Sequence, residues 1–438
     1  MNATLERRTM TKVAWRLLPL IVVIYFVAYV DRTNVGFAAI SMNQDLGFTP
    51  YLYGWGAGIF FIGYALFEVP SNVMLHRIGA RVWIARIMLT WGIVSGCMAL
   101  VVGATSFLTL RFLLGVAEAG FFPGVLLYFT YWFPKAYRAR VISALFLAVP
   151  GSNAVAAAIS GLLLQMDGVW GLSGWQWMFL LESVPAVLLA PVVLVTLTDR
   201  PAQATWLQPD ERDWLVQRMD AEHQALQGER AEPRLLEVLA DRRVISLSLI
   251  YLTIVTATYG ITFFLPLIVK THGLSNVNTG LVTAIPYVIG TIGMVVWAQS
   301  SDRRQERRWH FIVACGLAAV GLIAAGRASS LAMAMTAMSV AAVGLYGSKP
   351  AFWPLPSMFL TGVGAAAGIA MVNSIGNLGG FVGPYIVGWL NDRTGRYDAA
   401  LYFLAGCAVA SALIALASVR SRYRTAPAPV ARATLGGA

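Results

Sequence analysis

The chain of 438 residues is 58% hydrophobic and only 12% charged, carries a formal net charge of +11 and contains three cysteines. Its charged share is about half the globular norm, which excludes an ordinary water-soluble domain and removes nucleic acid as the natural explanation of the basic balance. Cys97, Cys315 and Cys407 sit in apolar stretches with no CxxC and no histidine partner, so they read as small buried hydrophobes and imply no disulfide or metal site. There is no GxSxG, HExxH or P-loop pattern. The expectation is a protein that is not an enzyme, has no cofactor and no metal, and is not an ATP-driven pump.

In chain order, residues 1–10 are polar and no small-residue cleavage site follows the first apolar run, so that run reads as a membrane crossing rather than a signal peptide. It spans about 17–38 and reads LLPLIVVIYFVAYVDRTNVGFA. About 20 residues rising about 1.5 Å each cross a hydrocarbon core. Yet this span contains Asp31 and Arg32, and charges inside a membrane helix are paired, face a wet cavity, or carry function. Tyr25, Tyr29 and Arg32 follow i, i+4, i+7 spacing and share one helix face. A guanidinium fork beside tyrosine hydroxyls suits a carboxylate. The alternative is an arginine snorkelling to the outer interface beside an aromatic belt, although about six further residues of span follow it. Asp31 points about 100° away from Arg32, either into a structural ion pair or toward proton exchange.

The second span carries Tyr64 and Glu68 on one face. The fourth, about 106–130, places Arg111 and Glu118 two turns apart on one face, either as a static ion network or as groups with a protonation cycle. Gly115, Gly120 and Gly124 read as packing positions on that helix, and Pro123 and Pro150 as kinks. Glu182, in the sixth span, has no assigned role. Twelve spans are expected in all, centred near residues 27, 62, 92, 118, 151, 186, 255, 288, 318, 339, 376 and 408. Residues 1–198 form an N-terminal six-helix bundle, 199–242 a cytoplasmic linker, and 243–438 a C-terminal six-helix bundle with a short cytoplasmic tail. Pro201, Pro209 and Pro233, with the mixed run Asp210-Glu211-Arg212-Asp213, fit a connector with one or two surface helices. The second half has no acid inside its spans. Its polar candidates are Asn373 and Asn377, one turn apart, with Tyr251, Tyr259 and Phe263 on span 7. Asn373 serves either a ligand or interhelical packing. Phe352 and Trp353 form a cavity wall or an interface belt.

Most of the 32 Lys and Arg residues fall in the N-tail, in the loops after even-numbered spans, in the linker and in the C-tail; Lys349 is counted to loop 10–11. Only Lys270, Arg327, Arg393 and Arg396 fall in loops on the other side. The positive-inside rule places both termini in the cytoplasm. His76-Arg77-Ile78-Gly79-Ala80-Arg81 between spans 2 and 3 is echoed by Ser301-Asp302-Arg303-Arg304 between spans 8 and 9. A basic turn repeated in two six-span halves is the internal symmetry of a rocking transporter.

Along essentially its whole length the chain resembles the major facilitator superfamily, whose signature Asp-Arg-x-Gly-x-Arg turn these two loops look like. His76 stands where the first copy has Asp, and the second keeps Asp302 and Arg303 but lacks the glycine. More closely it resembles the anion:cation symporter family, in the branch of tartrate, phthalate and 4-hydroxyphenylacetate permeases. The residues are Tyr29-Val30-Asp31-Arg32-Thr33-Asn34, Phe67-Glu68-Val69-Pro70-Ser71-Asn72, the turn from Gly79 to Arg86, the run from Arg111 to Gly124, and Trp132-Phe133-Pro134. The resemblance implies an all-α fold of twelve transmembrane helices in two halves. It implies substrate binding by Arg32, Tyr29, Tyr64 and Asn373, proton coupling by Asp31 and Glu118 with Arg111 as regulating partner, and gating loops at Arg77, Gly79, Arg81, Asp302 and Arg303. A cavity glutamine of sugar-acid relatives corresponds to Val149, which speaks against a polyhydroxylated substrate. The expected function is import of a small organic anion, a mono- or dicarboxylate, tartrate-like or aromatic, by proton symport. The alternative is a proton-coupled exporter of drugs or metabolites on the same fold. A facilitator with structural acids and a membrane sensor are weaker readings. Expected partners are the anion, protons and the plasma-membrane bilayer, with no nucleotide or nucleic acid, and a monomer as the working unit.

Overall fold

The computed structural model describes residues 3–228, 240–359 and 362–419; Pro233 of the linker and the arginines of the C-tail lie outside them. The described chain is helical from end to end. The first span is α1 (Ala3–Thr33) and α2 (Val35–Asp45), joined at Asn34. There follow α3 (Pro50–Ile78), α4 (Ala80–Cys97), α5 (Ala104–Glu118), α6 (Phe121–Trp132), α7 (Lys135–Leu163) and α8 (Gly174–Thr196). Helix α9 (Pro209–Gly228) lies in the linker. The second half contains α10 (Arg242–Lys270), α11 (Asn276–Arg304), α12 (Arg308–Gly326), α13 (Leu331–Phe352), α14 (Pro354–Phe359), α15 (Gly362–Asn377), α16 (Gly379–Thr394) and α17 (Asp398–Ser418).

Local chemistry sets several of these boundaries. Thr49 caps α3 by accepting the Leu52 N–H at 3.2 Å, and Pro50 opens the helix where its missing donor costs nothing. Gly79 ends α3 with φ 105°, a value few side chains tolerate. Large apolar side chains such as Leu66, Val195, Ile292, Val320 and Leu413 are exposed on the outer faces. A surface this greasy on long helices is one that lipid covers.

Two expected spans are not single helices. The fourth is broken between α5 and α6: Ala119 is extended and Gly120 is left-handed at φ 82°. Pro123 therefore falls in the first turn of α6, where proline is tolerated, and the interruption lies at Ala119–Gly120 instead. The eleventh is split into α15 and α16 at Leu378. Among the described residues eleven helical segments, with α1–α2 and with α5–α6 each taken as one, are long and apolar enough to cross a membrane, and α15 with α16 is read as the remaining crossing.

The halves meet where backbones approach closely. On α3 and α16, a Cβ on Gly54 would lie 2.4 Å from the Pro384 carbonyl oxygen, and one on Gly388 would lie 2.3 Å from that of Pro50. On α7 and α11, a Cβ on Gly280 would lie 2.3 Å from the Ala157 oxygen. Tyr53 adds a bond from its hydroxyl to the Phe263 carbonyl at 2.8 Å. Counting spans from the N-terminus, these contacts all lie on the face opposite the termini, so that face is sealed. On the termini face, Glu68 of α3 accepts bonds from Asn373 (2.9 Å) and Ser374 (3.4 Å) of α15, and the Phe146 and Trp353 rings stack with centroids 6.0 Å apart.

Helix α9 is docked rather than free. Asp210 and Glu211 take Arg8 at 2.7 and 2.9 Å, Lys12 reaches Glu211 at 3.0 Å, and Arg138 of α7 reaches Glu222 at 3.3 Å.

Candidate functional site

Between the halves lies a narrow cavity of about 40 Å³. The first half lines it with Tyr25, Tyr29, Arg32 and Tyr64, among others, and the second with Tyr251, Tyr259, Lys349, Asn373 and Asn377. Among the described residues the lining holds two cations and no carboxylate.

Arg32 stands on the α1 face with Tyr25 and Tyr29, as the helical spacing requires. Its Nη2 donates to Oε1 of Glu118 in a buried ion pair, and its Nη1 donates to the Tyr259 hydroxyl at 3.3 Å, across the two halves. The guanidinium lies 4.9 Å from the Tyr29 ring centroid and 5.4 Å from that of Tyr64, so aromatic faces hold it in plane. Its Nε is buried without a partner among the described residues. Glu118 is the last residue of α5, where the carbonyl ends of the helix disfavour a negative charge, so the Arg32 pair is what neutralises it there.

Arg111 does not bond Glu118. Its Nε and Nη2 donate to the carbonyl oxygens of Gly56 (3.1 Å) and Ala57 (3.2 Å), which ties α5 to α3. Seven residues of rise separate the two side chains, so each bonds to a neighbouring helix instead, Glu118 to α1 and Arg111 to α3.

Asp31 faces away from the cavity, as its position one residue from Arg32 dictates. It accepts from Ser95 of α4 and, at 3.3 Å, from Asn34. Glu182 of α8 accepts from Ser160 at 2.7 Å and leaves its other oxygen buried and unpartnered among the described residues. Neither acid has a cation in bonding range among those residues.

Asn373 reaches the cavity wall while its amide bonds Glu68. Tyr251 and Tyr259 line the cavity, whereas Phe263 is buried behind them against Phe61 and Tyr259. Phe352 stacks on Tyr251 at 5.1 Å with an 8° tilt and Trp353 meets the same ring edge-on, so this pair backs the cavity. Val149 is buried, and Phe146 is the α7 residue that lines the cavity.

Lys349 corrects the sequence reading. Counted to a loop, it belongs to α13 and lines the cavity, its Nζ 5.2 Å from the Tyr346 ring centroid. One turn from a helix end, its charge reads equally as loop or lumen, and only the direction of the side chain separates them.

The expected gating residues lie on the termini face. At the first turn, the Asp199 carboxylate accepts the Arg81 backbone N–H at 2.8 Å and packs 3.0 Å from where a Gly79 Cβ would stand. An acid thus sits at the N-terminus of α4, supplied by the end of span 6, while His76 bonds the Tyr131 hydroxyl at 3.2 Å. The Arg77 and Arg81 side chains are exposed. At the second turn Asp302 pairs with Arg307 at 2.5 Å, and Arg303 is exposed.

Two helical halves packed around a charged cavity have the build of a membrane transporter. Residues 21–384 match the Major Facilitator Superfamily, and the chain belongs to that family: a multi-pass membrane transporter, not an enzyme. It is 52% identical over 421 residues to a protein of Agrobacterium vitis named "Putative tartrate transporter", covering 96% of this chain and 97% of that one. It is 44% identical to a "Quinolone resistance transporter" of Acinetobacter baumannii, covering 91% and 92% of the two chains. Its fold superimposes on a bacterial homolog of the human lysosomal transporter Spinster, in an inward-facing and occupied conformation, with TM-score 0.76 at 18% identity over 94% of this chain and 98% of that chain.

Proposed function

We propose that the chain imports a small organic anion together with protons across the inner membrane. The observation that carries this reading is the Arg32–Glu118 pair at the cavity wall. Arg32 is the group suited to grip a carboxylate, and in the resting pair Glu118 occupies it. A proton on Glu118 releases the guanidinium, and an anion then takes the place of the glutamate. Proton and anion therefore load together, the anion offsetting the positive charge that protonation of Glu118 uncovers, which favours crossing the membrane.

Asp31, hydrogen-bonded by Ser95 and Asn34 on the reverse face of the same helix, serves as a second proton acceptor. Arg111 holds α5 in register with α3, so that Glu118 stays in reach of Arg32. Tyr29, Tyr64 and Asn373 supply neutral donors around the anion. The basic loops support a cytoplasmic location for both termini, and moving Lys349 into the cavity leaves that balance intact. One chain contains every group of this site, so a monomer suffices. The A. vitis relative supports a tartrate-like acid.

Purified protein in liposomes with an internal pH dye tests this. Tartrate, phthalate and 4-hydroxyphenylacetate are offered outside; acidification by one of them, lost in Glu118→Gln while counterflow of labelled acid persists, is the expected result. Loss of both activities makes the pair structural, and labelled entry without acidification removes the protons. The A. baumannii relative favours a second reading, proton-driven efflux of aromatic drugs. Silence to all acids with reduced quinolone accumulation in cells selects it.

A further inference from the structure

We propose that Lys349 is a second carboxylate-binding residue, so that the cavity selects dicarboxylates by taking one carboxylate on each half of the protein. This deepens the organic-anion reading above and rests on it.

Arg32 belongs to the first half and Lys349 to the second, and among the described residues they are the two cations of a lining that contains no acid. Arg32 is neutralised by Glu118 from behind the wall; Lys349 has no carboxylate in ion-pair range among the described residues. An ammonium left unpaired at membrane depth is costly, which makes it a feature that awaits a charge.

A lysine near a helix end normally snorkels toward water. This one does not. Side chains on a helix lean toward its N-terminus, and α13 begins on the face opposite the termini, so Lys349 leans inward, over the ring of Tyr346 one turn back. That ring is fixed in turn by Asn153 of the first half, whose amide donates to the Tyr346 hydroxyl at 2.9 Å. The ammonium is thus aimed at the cavity by packing that spans both halves.

Charge then decides the ligand. With Glu118 ionised the wall presents one free positive charge, and with Glu118 protonated it presents two. A dianion matches the charge of the protonated state, gives one carboxylate to each cation and draws the halves together around itself. A monoanion leaves one cation unpaired. Selection for two carboxylates and coupling to the Glu118 proton are one requirement of this arrangement.

The test compares L-tartrate with its monoamide, and succinate with succinamate, as competitors of labelled acid uptake in proteoliposomes. Wild-type protein is expected to prefer each dicarboxylate over its monoamide by about 30-fold or more. Lys349→Gln is expected to collapse that ratio toward unity, and Lys349→Arg to retain most of it. Equal preference in the wild type, or an unchanged ratio in Lys349→Gln, overturns the assignment while leaving anion transport standing. Uptake of neither acid by the wild type overturns the anion reading itself. Should Lys349→Gln fail to fold, the wild-type ratio and Lys349→Arg still decide the matter.

Discussion

Arg32 carries three relations at once: the ion pair to Glu118, the bond to Tyr259 and the aromatic faces of Tyr29 and Tyr64. A lysine would keep the charge but lose the planar fork and the stacking, so Arg32→Lys is expected to weaken apparent acid affinity by roughly 10-fold to 100-fold, read as the shift in half-saturation for uptake. An unchanged value would place the anion elsewhere. The face shared by Tyr29 and Arg32, and the turning away of Asp31, were legible because helix periodicity alone sets them. The partner of Glu118 was not, since it comes from another helix and depends on packing. Lys349 was hidden for a different reason: a charge one turn from a span end satisfies the positive-inside rule as well as a cavity does, and charge counting has no term for side-chain direction.

At the scale of elements, the break between α5 and α6 matters most, because it makes Glu118 a helix terminus rather than a mid-helix residue. Gly120 serves it twice, with φ 82° and with Ser71 Oγ only 2.4 Å from where a Cβ would stand. Gly120→Ala is therefore expected to cost about 1–3 kcal/mol, seen as a lowered melting temperature of the purified protein; a neutral substitution would mean that the break is not needed. A glycine in a membrane helix reads first as packing, and for Gly115, whose Cβ would stand 2.0 Å from the Phe60 carbonyl oxygen, that reading serves. At Gly120 the positive φ was beyond residue identity. Helix α9 gives a pH-dependent element. Burial pushes the Glu211 carboxyl up, but the Gln208 N–H and the Lys12 and Arg8 charges outweigh it and hold the group below the usual carboxylate range. Because the folded value is the lower one, the contact stabilises fully above about pH 4.3, the ordinary glutamate value, and is lost as pH falls through the folded value. Spin labels at Arg7 and Gln217 should report a sharp distance at neutral pH that broadens in acid, and Glu211→Gln should broaden it at every pH. A distance that stays sharp in Glu211→Gln would show that other contacts hold α9.

For the whole molecule, the twelve-span architecture and its division into halves followed from hydropathy and charge, while the conformation did not, because alternating access demands one sequence that fits two packings. What selects the closed far side here is backbone proximity at two glycine pairs, Gly54 with Gly388 and Gly161 with Gly280, on two separate helix contacts between the halves. At Gly388 the obstacle to a side chain is the Pro50 carbonyl and the Gly54 backbone, neither of which can rotate away. Added bulk must therefore push α16 from α3. Overpacking costs about 1–3 kcal/mol, comparable with the few kcal/mol that separate the states of a two-state protein, so a single substitution is enough to change which state dominates. Gly388→Val is expected to move the population toward the state open on the far side. Spin labels at Leu52 and Asp392, in a background without the three native cysteines, should show the distance between the α3 and α16 ends lengthen, while acid-driven uptake falls and acid binding from the far side persists. A distance distribution identical to that of the parent would mean that the glycine contact follows closure rather than permitting it, and the seal would then have to be sought in the Tyr53–Phe263 bond.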